Sequence, residues 1–232
     1  MNEIIVVFAF CWKDMARLVK NLEWQADLGT RWPSCFLSCD RTVGASDLDT
    51  IEQHAKRSYD TVQRIQYGNP SVGDWPPNHA FRETAIAIQK QGKPWLWFEP
   101  DMVPLCKDWM GIMQSAYERC RQPFFNPLIP ELLHFNGTGV YPADTPQRIP
   151  NALTERRTAW DVAMRPEIQH QTADAASVLQ HAWMMMDGKL HSSGGGPEPV
   201  FRTKADLKNI YPSAVLFHRD KTLSIIERMK EQ

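Results

Sequence analysis

The sequence predicts an α/β protein with a Rossmann-like, mostly parallel central sheet flanked by helices. Two observations lead there. From the N-terminus onward, short apolar runs alternate with amphipathic segments in the order β-α-β-α-β, the pattern of a parallel sheet with covering helices. The first of these runs is unbroken rather than alternating, as in strands buried on both faces. A third observation bears on function. Several runs end in an ionisable residue, and open α/β sheets bind ligands beyond the carboxyl ends of their strands.

Residues 3–10 read as the first strand. Asp14 stands as a helix cap before the stripe Met15, Leu18, Val19, Leu22 and Ala26, and Gly29 stops that helix. Residues 34–39 make a second strand that ends at Asp40. Ser46 and Asp49 have capping-box spacing ahead of Leu48, Ile51 and Ala55. Residues 61–67 make a third strand. The turn-rich stretch 68–78 leads into a helix with Phe81, Ala85 and Ile88 on its apolar face and Asn78 and Arg82, four apart, on another.

The stretch 95–105 is the most informative. Its apolar run ends in Glu99 and Asp101, spaced i, i+2, so both acids are expected on one face of a strand end. Pro100 fixes its own φ and holds Glu99 extended. Two neighbouring carboxylates suit a hard divalent cation whose shell is completed by substrate phosphates. A solvated acidic turn is the plain alternative. Beyond it, 107–119 reads as a helix, 123–128 and 132–141 as strands around a Pro-rich connection, and 154–164 and 174–186 as helices. Residues 188–199, with three consecutive glycines and two prolines, read as a loop that orders over a ligand, bringing His191 or Arg202 to it; a passive connection is the alternative. Residues 214–217 form a last strand running into His218, and 223–229 a closing helix.

Composition narrows the function. A net charge of −1 gives no global attraction to nucleic acid or membrane. The basic clusters Arg148, Arg156, Arg157 and Arg202, Lys204, Lys208 are the features that suit a DNA surface, or they are ordinary solvated charge. No apolar stretch approaches membrane-spanning length, and the brief apolar N-terminus lacks a basic lead. The five cysteines are scattered without zinc-type spacing. These features suit reduced thiols, no membrane partner and a cytoplasmic protein, in the host cytoplasm if the source is viral. The chain reads as one domain over 1–232, with a nucleotide-binding part over about 1–105 and an acceptor-side part over about 106–232.

The motifs Phe8-Ala-Phe10, Ser38-Cys-Asp40, Asn78-His-Ala-Phe-Arg82, Trp97-Phe-Glu-Pro-Asp101, His134-Phe-Asn-Gly-Thr-Gly-Val-Tyr141, Ala159-Trp-Asp161 and Phe217-His-Arg-Asp-Lys221 together resemble small GT-A-fold glycosyltransferases of bacteriophage or bacterial type, which use nucleotide sugars. The resemblance implies Mn²⁺ or Mg²⁺ held by Glu99, Asp101 and His218, with Glu99 replacing the family's first Asp. It implies a nucleoside diphosphate, with uracil as base, beside Asp40, Asn78 and Arg82. Lys221 reads as a charge on the leaving phosphate or as a surface lysine. Asn136 and Gly137 read as a close approach for sugar or as a tight turn. Trp160 is placed with the substrate. Asp161 reads as the base that deprotonates the acceptor hydroxyl or as a helix N-terminal charge. The acceptor is open, with a hydroxymethylpyrimidine in phage DNA as one candidate. A sugar-nucleotidyltransferase and a non-catalytic carbohydrate-binding protein are the rival classes.

Overall fold

The structure is a computed structural model and describes residues 3–129, 134–182 and 200–231. It contains the expected α/β architecture. The elements run β1 (Ile5–Phe10), α1 (Met15–Asp27), β2 (Trp32–Asp40), α2 (Ala45–Ala55), β3 (Tyr59–Tyr67), α3 (Pro76–Ile88), β4 (Trp95–Phe98), β5 (Val103–Pro104), α4 (Trp109–Cys120), β6 (Phe124–Asn126), β7 (Leu128–Ile129), β8 (His134–Phe135) and β9 (Gly139–Tyr141). Then come α5 (Thr145–Arg148), α6 (Pro150–Thr154), α7 (Trp160–Ala163), α8 (Arg165–Ile168), β10 (Thr172–Asp174), β11 (Leu179–His181), β12 (Leu216–His218) and α9 (Ser224–Lys230).

Seven strands form the central sheet in the order β10-β6-β9-β4-β1-β2-β3. Every neighbouring pair is parallel except the two made by β9, which runs against β4 and β6. β1 and β4 are buried along their whole length, which explains their unbroken apolar sequence. β3 lies at the edge, and most of its residues are at least partly exposed. One core lies on the α1, α2 and α4 side of the sheet; α3 and α6–α8 pack on the other, over an aromatic core of Phe81, Trp95, Trp97, Tyr141 and Trp160. A second, three-stranded sheet, β11-β12-β5, carries His218 up to the end of β4.

Several local expectations change. Asp14 stands at the N-cap position of α1 as expected, but its side chain makes no capping bond there; it turns back to Cys11, the cap residue of the 3₁₀ turn 12–14, whose N–H donates to Asp14 Oδ2. α2 starts at Ala45 with Gly44 as its cap, and Asp49 pairs with Arg64 instead of closing a capping box. The helix expected over 154–164 is broken. Glu155 Oε1 accepts the backbone N–H groups of Arg156, Arg157 and Thr158 and folds a loop between α6 and α7.

The helix expected over 174–186 is absent from its described part. A turn at 175–178 leads into β11, with Val178 and Leu179 bonding back to the Ala175 carbonyl. Ala175, Val178, Leu179 and Ala182 are all buried, so a turn followed by a strand reproduces the apolar spacing of a helix. The predicted ligand-closing loop, 188–199, lies outside the described residues. All five cysteines are free thiols. Among the described residues no helix is long and apolar enough to cross a membrane.

Candidate active site

β4 ends at Phe98, and the chain turns at once, with Met102 N–H donating to the Glu99 carbonyl at 2.9 Å. Glu99 and Asp101 therefore sit in the turn just beyond the strand, not within it. They still converge. Ligand atoms of Glu99, Asp101 and His218 all lie within 4.8 Å of one another. His218 Nε2 is 3.3 Å from Glu99 Oε2 and 3.4 Å from Asp101 Oδ1.

Neighbouring groups aim these three side chains. The Trp97 indole donates to Glu99 Oε1 at 3.2 Å. His218 Nδ1 faces Thr138 Oγ1 at 3.3 Å, and that hydroxyl donates to Asn136 Oδ1 at 2.6 Å. Thr138 thus accepts from Nδ1–H and aims Nε2 at the acids, where it donates when protonated and offers its lone pair once a cation takes the proton's place. The loop after His218 is pinned by Asp220 N–H on the Asp101 carbonyl (3.2 Å) and by Arg17 Nε on the Lys221 carbonyl (2.8 Å). Arg219 adopts a left-handed φ of 78°, an uncommon conformation next to His218.

The electrostatics ask for positive charge at this point. Burial disfavours the Asp101 carboxylate, yet His218 and Lys221 outweigh it and hold the group below the usual range. Burial also presses the His218 imidazolium down, but Asp101 and Glu99 more than offset this and lift its pKa to about 9. Asp101 Oδ1 is buried and accepts no hydrogen bond; its neighbour is the His218 imidazole at 3.4 Å. A buried carboxylate oxygen with that lone-pair capacity left, a second acid and an imidazole form a mixed O/N donor set that fits Mn²⁺ or Mg²⁺ with positions left for oxygen ligands.

Two cavities meet at the acids. The first, about 290 Å³, is lined by Phe10, Asp40, Tyr67, His79 and Arg17 and ends at Glu99, Asp101 and Lys221. The second, about 260 Å³, is lined by Asn136, Gly137, Trp160, Asp161, His181 and Arg219 and shares Glu99, Asp101 and Lys221 with the first. Lys221 Nζ lies 3.8 Å from Asp101 Oδ2. In the second cavity the Asn136 carboxamide NH₂ has no protein partner among the described residues, while its Oδ1 is held by Thr138. Gly137 lies against the Trp160 ring, where a Cβ would come within 2.7 Å. Trp160 stacks on Phe81 with centroids 3.6 Å apart. Asp161 Oδ2 lies 3.8 Å from His134 Nε2, and burial raises the Asp161 pKa above the ordinary carboxylate range.

Nine of the eleven residues singled out from sequence therefore line one or both cavities; Asn78 and Arg82 are not brought to them. The Asn78 amide donates to the Glu155 and Thr158 carbonyls at 3.1 and 2.8 Å and accepts from Trp160 N–H at 2.9 Å, so it ties α3 to the loop ahead of α7. Arg82 donates to Asp74 at 3.3 Å and to His79 Nδ1 at 2.8 Å. Asp40 lines the first cavity, with Oδ1 bonded to the Thr42 backbone and hydroxyl.

Sequence reasoning missed His79, Tyr67, Arg17, His181 and Arg219. Tyr67 and His181 are the last residues of β3 and β11, so the strand-end rule would have found both. The reading of 174–186 as a helix hid His181.

No protein-family model and no curated protein sequence matches the chain. Solved structures do. The galactosyltransferase LgtC, crystallised with donor and acceptor sugar analogues, superposes with a TM-score of 0.60 at 10% identity, covering 98% of this chain and 94% of LgtC. The bifunctional glycosyltransferase WbbM gives 0.58 at 7% identity over 94% of this chain and 46% of its own. Mouse xyloside xylosyltransferase 1 gives 0.53 at 9% identity, covering 95% and 98%. At these identities the likeness is one of fold, and the GT-A-type glycosyltransferase fold implied by the motifs is the fold observed.

Proposed function

We propose that this chain is a metal-dependent glycosyltransferase that moves a sugar from a nucleoside-diphosphate sugar to an acceptor hydroxyl. The observation that carries this reading is the meeting of two cavities at the Glu99, Asp101 and His218 cluster, in which Asp101 and His218 are buried and Asp101 Oδ1 accepts no hydrogen bond. Crystallisation of LgtC with donor and acceptor sugar analogues supports two substrates on this fold. A divalent cation bound there would supply neutralisation of the diphosphate as the sugar–phosphate bond breaks.

In this reading the first cavity takes the nucleotide, with Asp40, Tyr67 and His79 at its nucleoside end. Uracil is the expected base, from the family resemblance. Lys221 adds a point charge beside the leaving phosphate. The Asn136 NH₂ donates to a sugar hydroxyl, and Trp160 forms the wall on which the sugar or acceptor rests. The bond from the anomeric carbon to the phosphate oxygen breaks and one to the acceptor oxygen forms; the acceptor proton passes to the Asp161 carboxylate. A DNA acceptor gains little support. Arg148 and Arg156, two of the basic residues behind that idea, pair with Asp144 and Asp74. A sugar or another small hydroxyl compound suits the second cavity better.

The test is a screen of nucleoside-diphosphate sugars with Mn²⁺ or Mg²⁺, read as binding by calorimetry and as release of nucleoside diphosphate. Binding that requires metal and is lost in Asp101→Asn supports the reading. No binding of any nucleoside diphosphate with metal present refutes it. Binding without hydrolysis or transfer leaves the non-catalytic alternative, and pyrophosphate release from a nucleoside triphosphate and a sugar phosphate indicates the nucleotidyltransferase.

A further inference from the structure

The buried face of α1 carries Asn21 and Gln25 among Leu18, Leu22 and Trp24. Both amides are fully buried, a costly placement for polar groups unless each atom is bonded. The Asn21 Nδ2 group donates one hydrogen to the Pro100 carbonyl at 3.3 Å and the other to the Met102 carbonyl. These are the carbonyls on either side of Asp101. Asn21 Oδ1 accepts from Gln25 Nε2 at 3.0 Å, and Gln25 Oε1 accepts from the Tyr59 hydroxyl at 2.6 Å.

The chain of bonds has one possible direction. Turning the Asn21 amide over would set its oxygen against two carbonyl oxygens, so the turn fixes Asn21, Asn21 fixes Gln25, and Gln25 fixes the Tyr59 hydroxyl as donor. Burial, with the neighbouring Cys35 thiol, pushes the Tyr59 pKa well above its ordinary value, so that donor is always present. From the opposite side the Asp101 carbonyl accepts from Asp220 N–H at 3.2 Å. Three consecutive carbonyls, at 100, 101 and 102, are therefore all held, and the acid they surround has no freedom to swing with its backbone.

We infer that Asn21 is a positioning residue for the cation site, which sets the aim of Asp101 through the two carbonyls that flank it, with Gln25 and Tyr59 as its support. This rests on the metal-dependent reading above. A clamp of this kind acts on metal affinity, whereas a mere helix-to-turn staple acts on stability alone.

The test uses the intact chain and Mn²⁺ alone, titrated with the free ion followed by electron paramagnetic resonance. Asp101→Asn must abolish the wild-type binding, which locates the ion. Asn21→Leu keeps the size and removes both donors; it is expected to lower Mn²⁺ affinity about 10–100-fold, the usual effect of losing a partner that orients a ligand. Tyr59→Phe, at the far end, is expected to produce a smaller loss in the same direction. Leu48→Ala, in α2 and outside the network, is expected to lower thermal stability with no change in affinity.

Wild-type affinity in folded Asn21→Leu overturns the clamp and leaves the metal reading intact. If Asn21→Leu does not fold, wild-type affinity in both Gln25→Leu and Tyr59→Phe overturns it. An equal loss in Leu48→Ala overturns it as a general effect of destabilisation. Absence of Mn²⁺ binding in the wild type removes both the clamp and the metal reading.

Discussion

Gly137→Ala tests how tightly the second cavity is built. The φ of Gly137 lies outside the left-handed region, so alanine meets no backbone penalty and the cost is steric. The new Cβ would stand 2.7 Å from Trp160 Cζ2, 2.9 Å from Cη2 and 3.3 Å from the Asp161 Cβ. Ordinary contact begins at 3.4 Å, so Trp160 or the 136–138 backbone must give by about 0.7 Å. The ring has little room, since Phe81 stacks on it at 3.6 Å and Trp97 and Tyr141 lie at 5.9 Å. The backbone is held too: the Gly137 carbonyl accepts from the Tyr141 hydroxyl at 2.5 Å. Overpacking of this kind costs about 1–3 kcal/mol. For a chain of this length that is a fall of about 2–12 °C in Tm. Scanning calorimetry reads it. Because Asp161 moves with Trp160, transfer to acceptor should fall about 10–100-fold, the usual effect of misplacing a reacting group by a fraction of an ångström to one ångström. Nucleotide affinity should hold, as the first cavity is untouched. A wild-type Tm with wild-type transfer would refute the packing argument.

Three further outcomes follow from the same geometry. The proposed role of Asp161 as base requires its ionised form, and burial raises its pKa; the acid limb of the pH–rate profile should therefore lie above that of an ordinary aspartate, and Asp161→Asn should remove the limb along with most of the activity. Asp220→Ala removes carboxylate bonds to Thr222 Oγ1, Ser224 Oγ and Ile225 N–H, all between 2.8 and 3.1 Å; urea unfolding should show a loss of about 1–3 kcal/mol, and Mn²⁺ should bind more weakly as the His218 loop loosens. Asn78→Ala should cost a similar 1–3 kcal/mol or so by releasing the loop ahead of Trp160, with uridine diphosphate affinity unchanged by calorimetry; weakened binding there would restore Asn78 to the nucleotide site.

The first hundred residues were read well because each element carries one dominant signal. β1 and β4 are buried on both faces and look it, and α3 begins with two prolines. The strand-end acids and His218 were legible because a strand's carboxyl end is a position in sequence as well as in space. Asn78 and Arg82 could not be placed from sequence for a physical reason: a polar pair on a helix face looks the same whether it meets a ligand or other protein groups, and here it bonds the 155–160 loop and Asp74. The Asn21 and Gln25 network was invisible because helical spacing marks two amides inside an apolar stripe as interruptions, and their partners lie in β3 and in the turn after β4, far along the chain. β11 was lost because a turn followed by a strand mimics the period of a helix.

The reversed direction of β9 bears on how the molecule comes into being. Gly139 pairs with Trp97 and Val140 with both Leu96 and Phe125, so this strand is a wedge between two strands that precede it in the chain. Until it is inserted, a nascent chain that has reached β4 presents that strand as a bare apolar edge, the kind of surface that seeks another chain. The acid turn is by then already made, but His218 arrives more than a hundred residues later. The parts of the cluster thus meet only at the close of folding, across long loops that slow the search. Dividing the chain near residue 105 would separate the acids from their histidine and uncover β4 at once, so the two cavities stand or fall as a single unit of synthesis.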